Sequence, residues 1–286
     1  MKASTRLRQL MAGSGPVVAP GGYDGISAKM IERAGFPAVY ASGGAIARST
    51  GVPDLGLMSM AEITDRLATM VDAVTVPVIA DADTGYGNAL NAQHMVRAFE
   101  RAGVAGFHLE DQTFPKRCGH YDDKSIVPMR EMVQKIRAVK DAATDTDLVL
   151  IARTDGLAVE GFESTIERSH AYMEAGADVI FVEAPTSVEQ IEKIAALLPY
   201  PKLINMFAGG KTPLIPSERL GELGYAIVII PSDLQRAALF AMEQTLAAIR
   251  RDGDSRVMQD RMVSFAEREA IIGTSDWLDR DRIYAV

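Results

Sequence analysis

Short apolar runs alternate with longer amphipathic stretches along almost the whole chain. The runs fall at 16–22, 38–43, 77–83, 106–111, 148–155, 178–183, 202–207 and 226–231. Each is followed by a stretch with apolar residues at helical spacing, at 26–34, 60–74, 89–102, 130–143, 162–175, 187–198, 216–223 and 233–251. Eight strand–helix units in a row predict an α/β fold, a (β/α)8 TIM barrel. Runs such as Ala226-Ile-Val-Ile-Ile230 are apolar throughout, which suits strands of a parallel sheet covered on both faces. A doubly wound open sheet is the alternative that the same alternation allows. Gly35, Gly103, Gly176 and Gly224 stand where a glycine would end a helix. No linker or composition shift divides residues 1–286. The expectation is a single barrel domain with 252–286 as a C-terminal helical extension, in which 258–272 has helical spacing.

Composition narrows the class. The chain has 286 residues, 48% of them hydrophobic and 24% charged, as in soluble globular proteins. Its net charge of −8 argues against nucleic acid as a partner, so an anionic ligand must be held by a local metal, arginine or helix N-terminus. A single cysteine, Cys118, rules out an intrachain disulfide and fits the cytoplasm. No apolar run approaches the roughly 18 residues of a membrane span, and residues 1–15 read as a short helix rather than a signal peptide.

In such barrels the chemistry sits at the C-terminal ends of the strands, and here those ends are rich in polar residues. They carry Ser42-Gly43-Gly44, Asp81 and Asp83, His108 with Glu110 and Asp111, Arg153 with Asp155, then Glu183 and Asn205. Asp81 and Asp83 lie two apart, on one face of their strand, and Glu110 is on the next strand. Such a cluster of like charges needs a cation or protons, and all-oxygen donors suit magnesium. Helix capping or bridging to lysines is the plainer use of the same acids. Ser42-Gly43-Gly44 can form an anion nest or an ordinary turn. Arg153 can grip a carboxylate bidentately, or pair with Glu183. Lys116-Arg117-Cys118-Gly119-His120 lies in a long connection without periodicity, which suggests a mobile lid. Basic neighbours favour a reactive thiol over a buried one at Cys118.

These strings resemble the isocitrate lyase and phosphoenolpyruvate mutase superfamily over nearly the whole length, most of all its methylisocitrate lyase and 2,3-dimethylmalate lyase branch. The matching segments are Tyr40-Ala-Ser-Gly-Gly44, Gly51-Val-Pro-Asp-Leu-Gly56, Asp81-Ala-Asp-Thr-Gly-Tyr-Gly87, His108-Leu-Glu-Asp-Gln112, Lys116-Arg-Cys-Gly-His120 and Ile151-Ala-Arg-Thr-Asp155. Lys116–His120 is the most specific of them, because it marks the lyases. The resemblance implies a magnesium ion, with manganese an alternative, held around Asp83 and partly through waters by Asp54, Asp81 and Glu110. It implies that Ser42, Gly43, Gly44 and Arg153 hold a substrate carboxylate, with Arg117, Gly119, His120, Glu183 and Asn205 completing the binding site. Tyr40 is a candidate base, Cys118 is the general acid, and Arg153 and His120 stand beside them in catalysis.

The implied reaction cleaves a 2-hydroxy di- or tricarboxylate, 2-methylisocitrate or 2,3-dimethylmalate, to pyruvate plus succinate or propionate. Asn205-Met-Phe-Ala-Gly-Gly-Lys-Thr-Pro213 departs from the methylisocitrate lyase pattern, so a smaller alkylated malate is an equal expectation. Oxaloacetate hydrolase or decarboxylase chemistry, phosphonomutase-like chemistry and a non-catalytic metabolite-binding barrel remain the alternatives. The resemblance also implies a homotetramer with C-terminal helices exchanged between subunits.

Overall fold

The computed structural model describes residues 1–119, 121 and 123–285, in two compact units, Met1–Asp233 and Leu234–Val286. The division falls at the start of the helix Asp233–Asp252.

The first unit opens with α1 (Ala3–Met11), β1 (Val17–Gly22), α2 (Gly25–Arg33), β2 (Val39–Ala41), α3 (Gly43–Ser49) and α4 (Met60–Ala73). It continues through β3 (Val78–Asp81), α5 (Ala89–Ala102), β4 (Gly106–Glu110), α6 (Met129–Ala142), β5 (Val149–Thr154), α7 (Gly156–Val159) and α8 (Phe162–Glu174). It ends with β6 (Val179–Val182), α9 (Val188–Leu197), β7 (Lys202–Asn205), α10 (Ser217–Glu222) and β8 (Tyr225–Ile230). The eight strands pair in chain order, all parallel, and β1 joins β8 with Val17 opposite Ile227, so the sheet is closed and the open-sheet alternative falls away.

Alternation along each strand sorts the core into two parts. Tyr40, Ile79, Val149, Ile151, Phe181, Leu203, Ile227 and Ile229 face inward and fill the barrel. Val39, Val78, Ala80, Phe107, Leu109, Leu150 and Ala152 face outward into the layer under the helices. Leu7 of α1 is fully buried with the inward set and stops one end of the barrel from outside the repeat. Local signals start and stop the helices. Asp24 and Ser27 form a capping box on α2, as Ser59 and Glu62 do on α4. Gly103 ends α5 with φ 86°, a conformation costly for any residue with a Cβ.

Gly21 marks a close approach between β1 and the residue that follows its partner strand β8. A Cβ there would stand 2.3 Å from the Pro231 carbonyl oxygen, and backbone cannot swing aside as a side chain can. Gly21→Ala should therefore lower stability by roughly 1–3 kcal/mol. A urea midpoint equal to that of the unsubstituted protein would mean that the 231 region shifts freely.

The second unit holds most of α11 (Asp233–Asp252), a 3-10 turn at Arg256–Arg261, α12 (Phe265–Ile272) and α13 (Thr274–Tyr284). Phe240, Leu246, Phe265, Trp277 and Ile283 on it are exposed. Among the described residues no helix is long and apolar enough to cross a membrane.

Candidate active site

Inward-facing positions at the C-terminal ends of β2 to β7 carry Tyr40, Asp81, His108, Glu110, Arg153, Glu183 and Asn205, all buried. Two strand ends turn sharply to serve this rim. After β2 the chain enters α3 directly. Ser42 is its N-cap, with Oγ accepting from the Ala45 N–H at 3.3 Å, so Ser42-Gly43-Gly44 is a helix start rather than a free nest. The two glycines are required by crowding. A Cβ on Gly43 would lie 2.6 Å from Asp81 Oδ2, and one on Gly44 2.8 Å from Asp54 Oδ2. After β3, Asp83 and Tyr86 adopt left-handed backbone (φ 45° and 60°), which costs about 1–3 kcal/mol each and persists where surrounding structure imposes it. The Asp83 N–H donates to Asp81 Oδ1 at 3.0 Å, locking the two acids together.

Asp54, Asp81, Asp83 and Glu110 form the acidic half of the site. Lys116 lies among them, with Nζ bonded to Asp54 Oδ1 at 2.5 Å and 2.9 Å from Asp83 Oδ1. The lysine bridge allowed as the plainer reading is thus present, alongside the cluster. Burial works to discharge Lys116, and the surrounding carboxylates, Asp83 first, hold it charged. Burial raises Asp83 to about 6 against the pull of Lys116, with Asp81 and Asp54 adding to the rise. Burial also acts to raise Asp81, but His108, Lys116 and Arg153 outweigh it and hold its carboxyl below the usual range. Glu110 is pushed well up by burial. Its two oxygens have no hydrogen-bond partner, although Arg153 Nη1 lies 3.2 Å from Oε2.

These four carboxylates face two cations, Lys116 and Arg153, and Asp155 already takes much of Arg153. The unmatched negative charge, the unbonded Glu110 oxygens and the oxygen-only donor set fit a hard divalent cation. Among the described residues no group of three or more His, Cys, Asp or Glu side chains stands ready to hold a metal ion. A magnesium ion taking one or two of these carboxylates, with waters for the rest, needs no such group.

Tyr40 OH lies 2.8 Å from His108 Nε2 and 3.3 Å from Asp81 Oδ2. Burial, then Asp81, raises the Tyr40 phenol far above its ordinary value, and burial lowers His108 despite Asp81. A standing phenolate at Tyr40 is therefore opposed. The geometry offers a phenol in hydrogen-bond contact with an imidazole and with Asp81. Arg153 pairs chiefly with Asp155, Nε to Oδ2 at 2.9 Å, whereas Glu183 is 3.9 Å away. Asn205 Nδ2 reaches Glu183 Oε1 only at 3.5 Å, and Asn205 Oδ1 is buried without a partner.

The described residues of the connection after β4 carry local structure of their own. Gln112 pairs with Ile126 in an antiparallel bridge, and its side chain bonds both the N–H and the carbonyl of Arg117 at 2.9 Å. Lys116 and Lys124 point inward and are buried. Gly119 lies against the rim, where a Cβ would come within 2.4 Å of Arg153 Nη2 and 2.5 Å of Glu183 Oε1. Cys118 is partly buried and is not in a disulfide. Arg117 turns outward to Asp123 at 3.1 Å and is not brought to the rim. His120 lies outside the described residues. Lys116, His108, Lys124 and Asp155 are part of the constellation without having been singled out as site residues. The period-two spacing from Glu110 puts His108 on the same strand face. No local pattern marks Lys124.

A closed (β/α)8 barrel with acids, an arginine and a thiol loop at one rim has the make-up of an enzyme active site. Comparison with known proteins makes this specific. The phosphoenolpyruvate phosphomutase family matches residues 7–250. The chain is 42% identical over 286 residues to 2,3-dimethylmalate lyase of Eubacterium barkeri, covering 100% of this chain and 99% of that one. It is 43% identical over 275 residues to 2-methylisocitrate lyase of Aeropyrum pernix, covering 96% and 89%. An oxaloacetate acetylhydrolase solved with 3,3-difluorooxalacetate superposes with a TM-score of 0.93 at 35% identity, covering 98% and 96%. A phosphonopyruvate hydrolase solved with oxalate and magnesium gives a TM-score of 0.92 at 29% identity over 100% of both chains. The chain belongs to the phosphoenolpyruvate mutase and isocitrate lyase superfamily. It is an enzyme of the carbon–carbon lyase type.

Proposed function

We propose that the protein cleaves a 2-hydroxy di- or tricarboxylate, 2,3-dimethylmalate or 2-methylisocitrate, to pyruvate plus propionate or succinate. The observation that carries this reading is the Lys116–Gly119 segment laid over the acid-lined rim. Lys116 is on Asp54 and Asp83, and Gly119 is against Arg153 and Glu183. A thiol-bearing loop in that position supports delivery of a proton into a site closed to water.

Asp83, with Asp54, Asp81 and Glu110, would hold magnesium or manganese, which supplies charge stabilisation for the oxygens of the 2-hydroxy acid. Arg153 and the N–H groups starting α3 bind its carboxylate. Tyr40, relayed through His108, takes the hydroxyl proton. The C–O bond becomes a carbonyl as the adjacent C–C bond breaks, and the electron pair goes to the carbon beside the second carboxylate. The Cys118 S–H then donates its proton to that carbon.

A substrate panel tests this, with pyruvate release coupled to lactate dehydrogenase and oxaloacetate hydrolysis followed by the loss of oxaloacetate itself. Pyruvate release from one of the two hydroxy acids is expected, at a kcat/KM at least about tenfold above turnover of oxaloacetate or phosphonopyruvate. Turnover of only the latter pair would replace the proposal. Binding of all four without turnover would make the barrel a metabolite-binding protein.

The apolar residues exposed on 234–285, such as Phe240 and Trp277, support assembly into a homotetramer in which these helices are covered, or exchanged, between copies. Sedimentation at micromolar concentration should show tetramer, and monomer alone would overturn it.

A further inference from the structure

Lys124 has no part in the reaction just described, yet it is one of the most deeply placed charges in the molecule. Its side chain is 1% exposed, whereas Arg117 and Asp123 of the same connection are exposed. Nζ donates to the Gly119 carbonyl at 2.6 Å and to Asp155 Oδ1 at 2.7 Å. Asp155 is itself fully buried and held from behind, its N–H donating to Asp111 Oδ1 at 2.9 Å. Asp111 in turn accepts from Thr154 and Tyr172, each at 2.8 Å. The same Asp155 carboxylate grips Arg153, Nε to Oδ2 at 2.9 Å and Nη2 to Oδ1 at 3.2 Å. One ammonium therefore ties the backbone next to Cys118 to the carboxylate that orients Arg153.

We propose that Lys124 is the latch of the Cys118 loop, a positioning residue that fixes Gly119, and with it the thiol, against the Arg153–Asp155 pair. This rests on the lyase reading given above. An opened loop must carry Gly119 away from Arg153, which breaks the Lys124–Gly119–Asp155 link. Closure remakes a charge-assisted bond where water is excluded, so it is strong and directional. Sharing Oδ1 has a second effect. When Lys124 arrives, Asp155 divides its charge between two cations, and Arg153 is freer to donate to a substrate carboxylate.

Lys124→Met keeps the aliphatic stem, and Asp155 retains Arg153 as a partner, so no buried charge is left alone. The test combines steady-state kinetics with amide exchange on the full-length protein, with and without magnesium plus oxalate. In the unsubstituted protein, oxalate should slow exchange at 113–119 and 123–127. In Lys124→Met that protection should be lost while the barrel strands stay protected. Its kcat should fall about 10²-fold, the penalty of a misplaced reacting group, with KM moving by less than about threefold. Lys124→Gln, which keeps a donor for Gly119 but no charge for Asp155, should fall between the two and carries the test if Lys124→Met does not fold. Unchanged loop protection and kcat in either variant overturns the latch. Loss of protection throughout the barrel also overturns it, since Lys124 would then be structural only. If oxalate protects nothing in the unsubstituted protein, the loop is not a ligand-driven gate and the latch falls with that part of the lyase reading. A missing substrate turnover with intact oxalate protection instead faults the reaction alone.

Discussion

Replacing Cys118 with serine should lower kcat by about 10²–10⁴-fold, the usual worth of a positioned general acid, while binding of magnesium and oxalate survives. The reasoning is one of proton supply. A hydroxyl is a far weaker acid than a thiol, yet serine is nearly isosteric, so the loop should still seat. Gly119 contacts Arg153 and Glu183 through its lack of a side chain, not through Cys118. Acidity is thereby separated from closure. Titration calorimetry with oxalate and magnesium, set beside pyruvate release, checks both halves. Turnover in Cys118→Ser equal to that of the unsubstituted protein would remove the thiol from the mechanism. Loss of oxalate binding would mean instead that the side chain is needed to close the loop.

Exhaustive chelation should have an effect as large. Without a divalent ion, the substrate oxygens lose the electrophile that Asp54, Asp81, Asp83 and Glu110 would hold. A loss of several kcal/mol of charge stabilisation corresponds to roughly 10³-fold or more in rate. Magnesium or manganese should restore it. Asp83→Asn should resist that rescue, because it removes the acid whose strained backbone already aims it at the site. Full activity after dialysis against a strong chelator would falsify the metal requirement.

The barrel was legible because its strands are long-range in pairing but local in pattern. An apolar run such as 226–230 needs covering on both faces wherever it sits, and eight of these with helices between them leave few arrangements. Asp81 and Glu110 were legible for a related reason: period two fixes which residues of a strand share a face, and chain order fixes which strands are neighbours. Asp83, read as sharing the strand face of Asp81, instead lies past the end of β3 in left-handed backbone. What could not be read are pairings made by long side chains across the fold. Lys116 and Lys124 look like solvated loop charges in sequence, and their burial depends on Asp54 and Asp155, which lie 62 and 31 residues away. Arg117 and Lys116 are adjacent and of one sign, yet one is outside and the other inside. The start of α3 was missed because Ser-Gly-Gly has no helical periodicity; Ser42 is its cap, and the glycines answer to Asp81 and Asp54, not to helix propensity.

Barrel closure has a consequence for synthesis on the ribosome. The seam that pairs Val17 with Ile227 joins nearly the first and last residues of the unit. The emerging chain therefore cannot finish its barrel until β8 has left the exit tunnel. For most of translation β1 has an open edge, and Leu7 has no interior to enter. Non-local pairing of this kind is slow and leaves apolar edges open to other chains. A nascent chain stalled just before β8 is thus the form of this protein most in need of a chaperone.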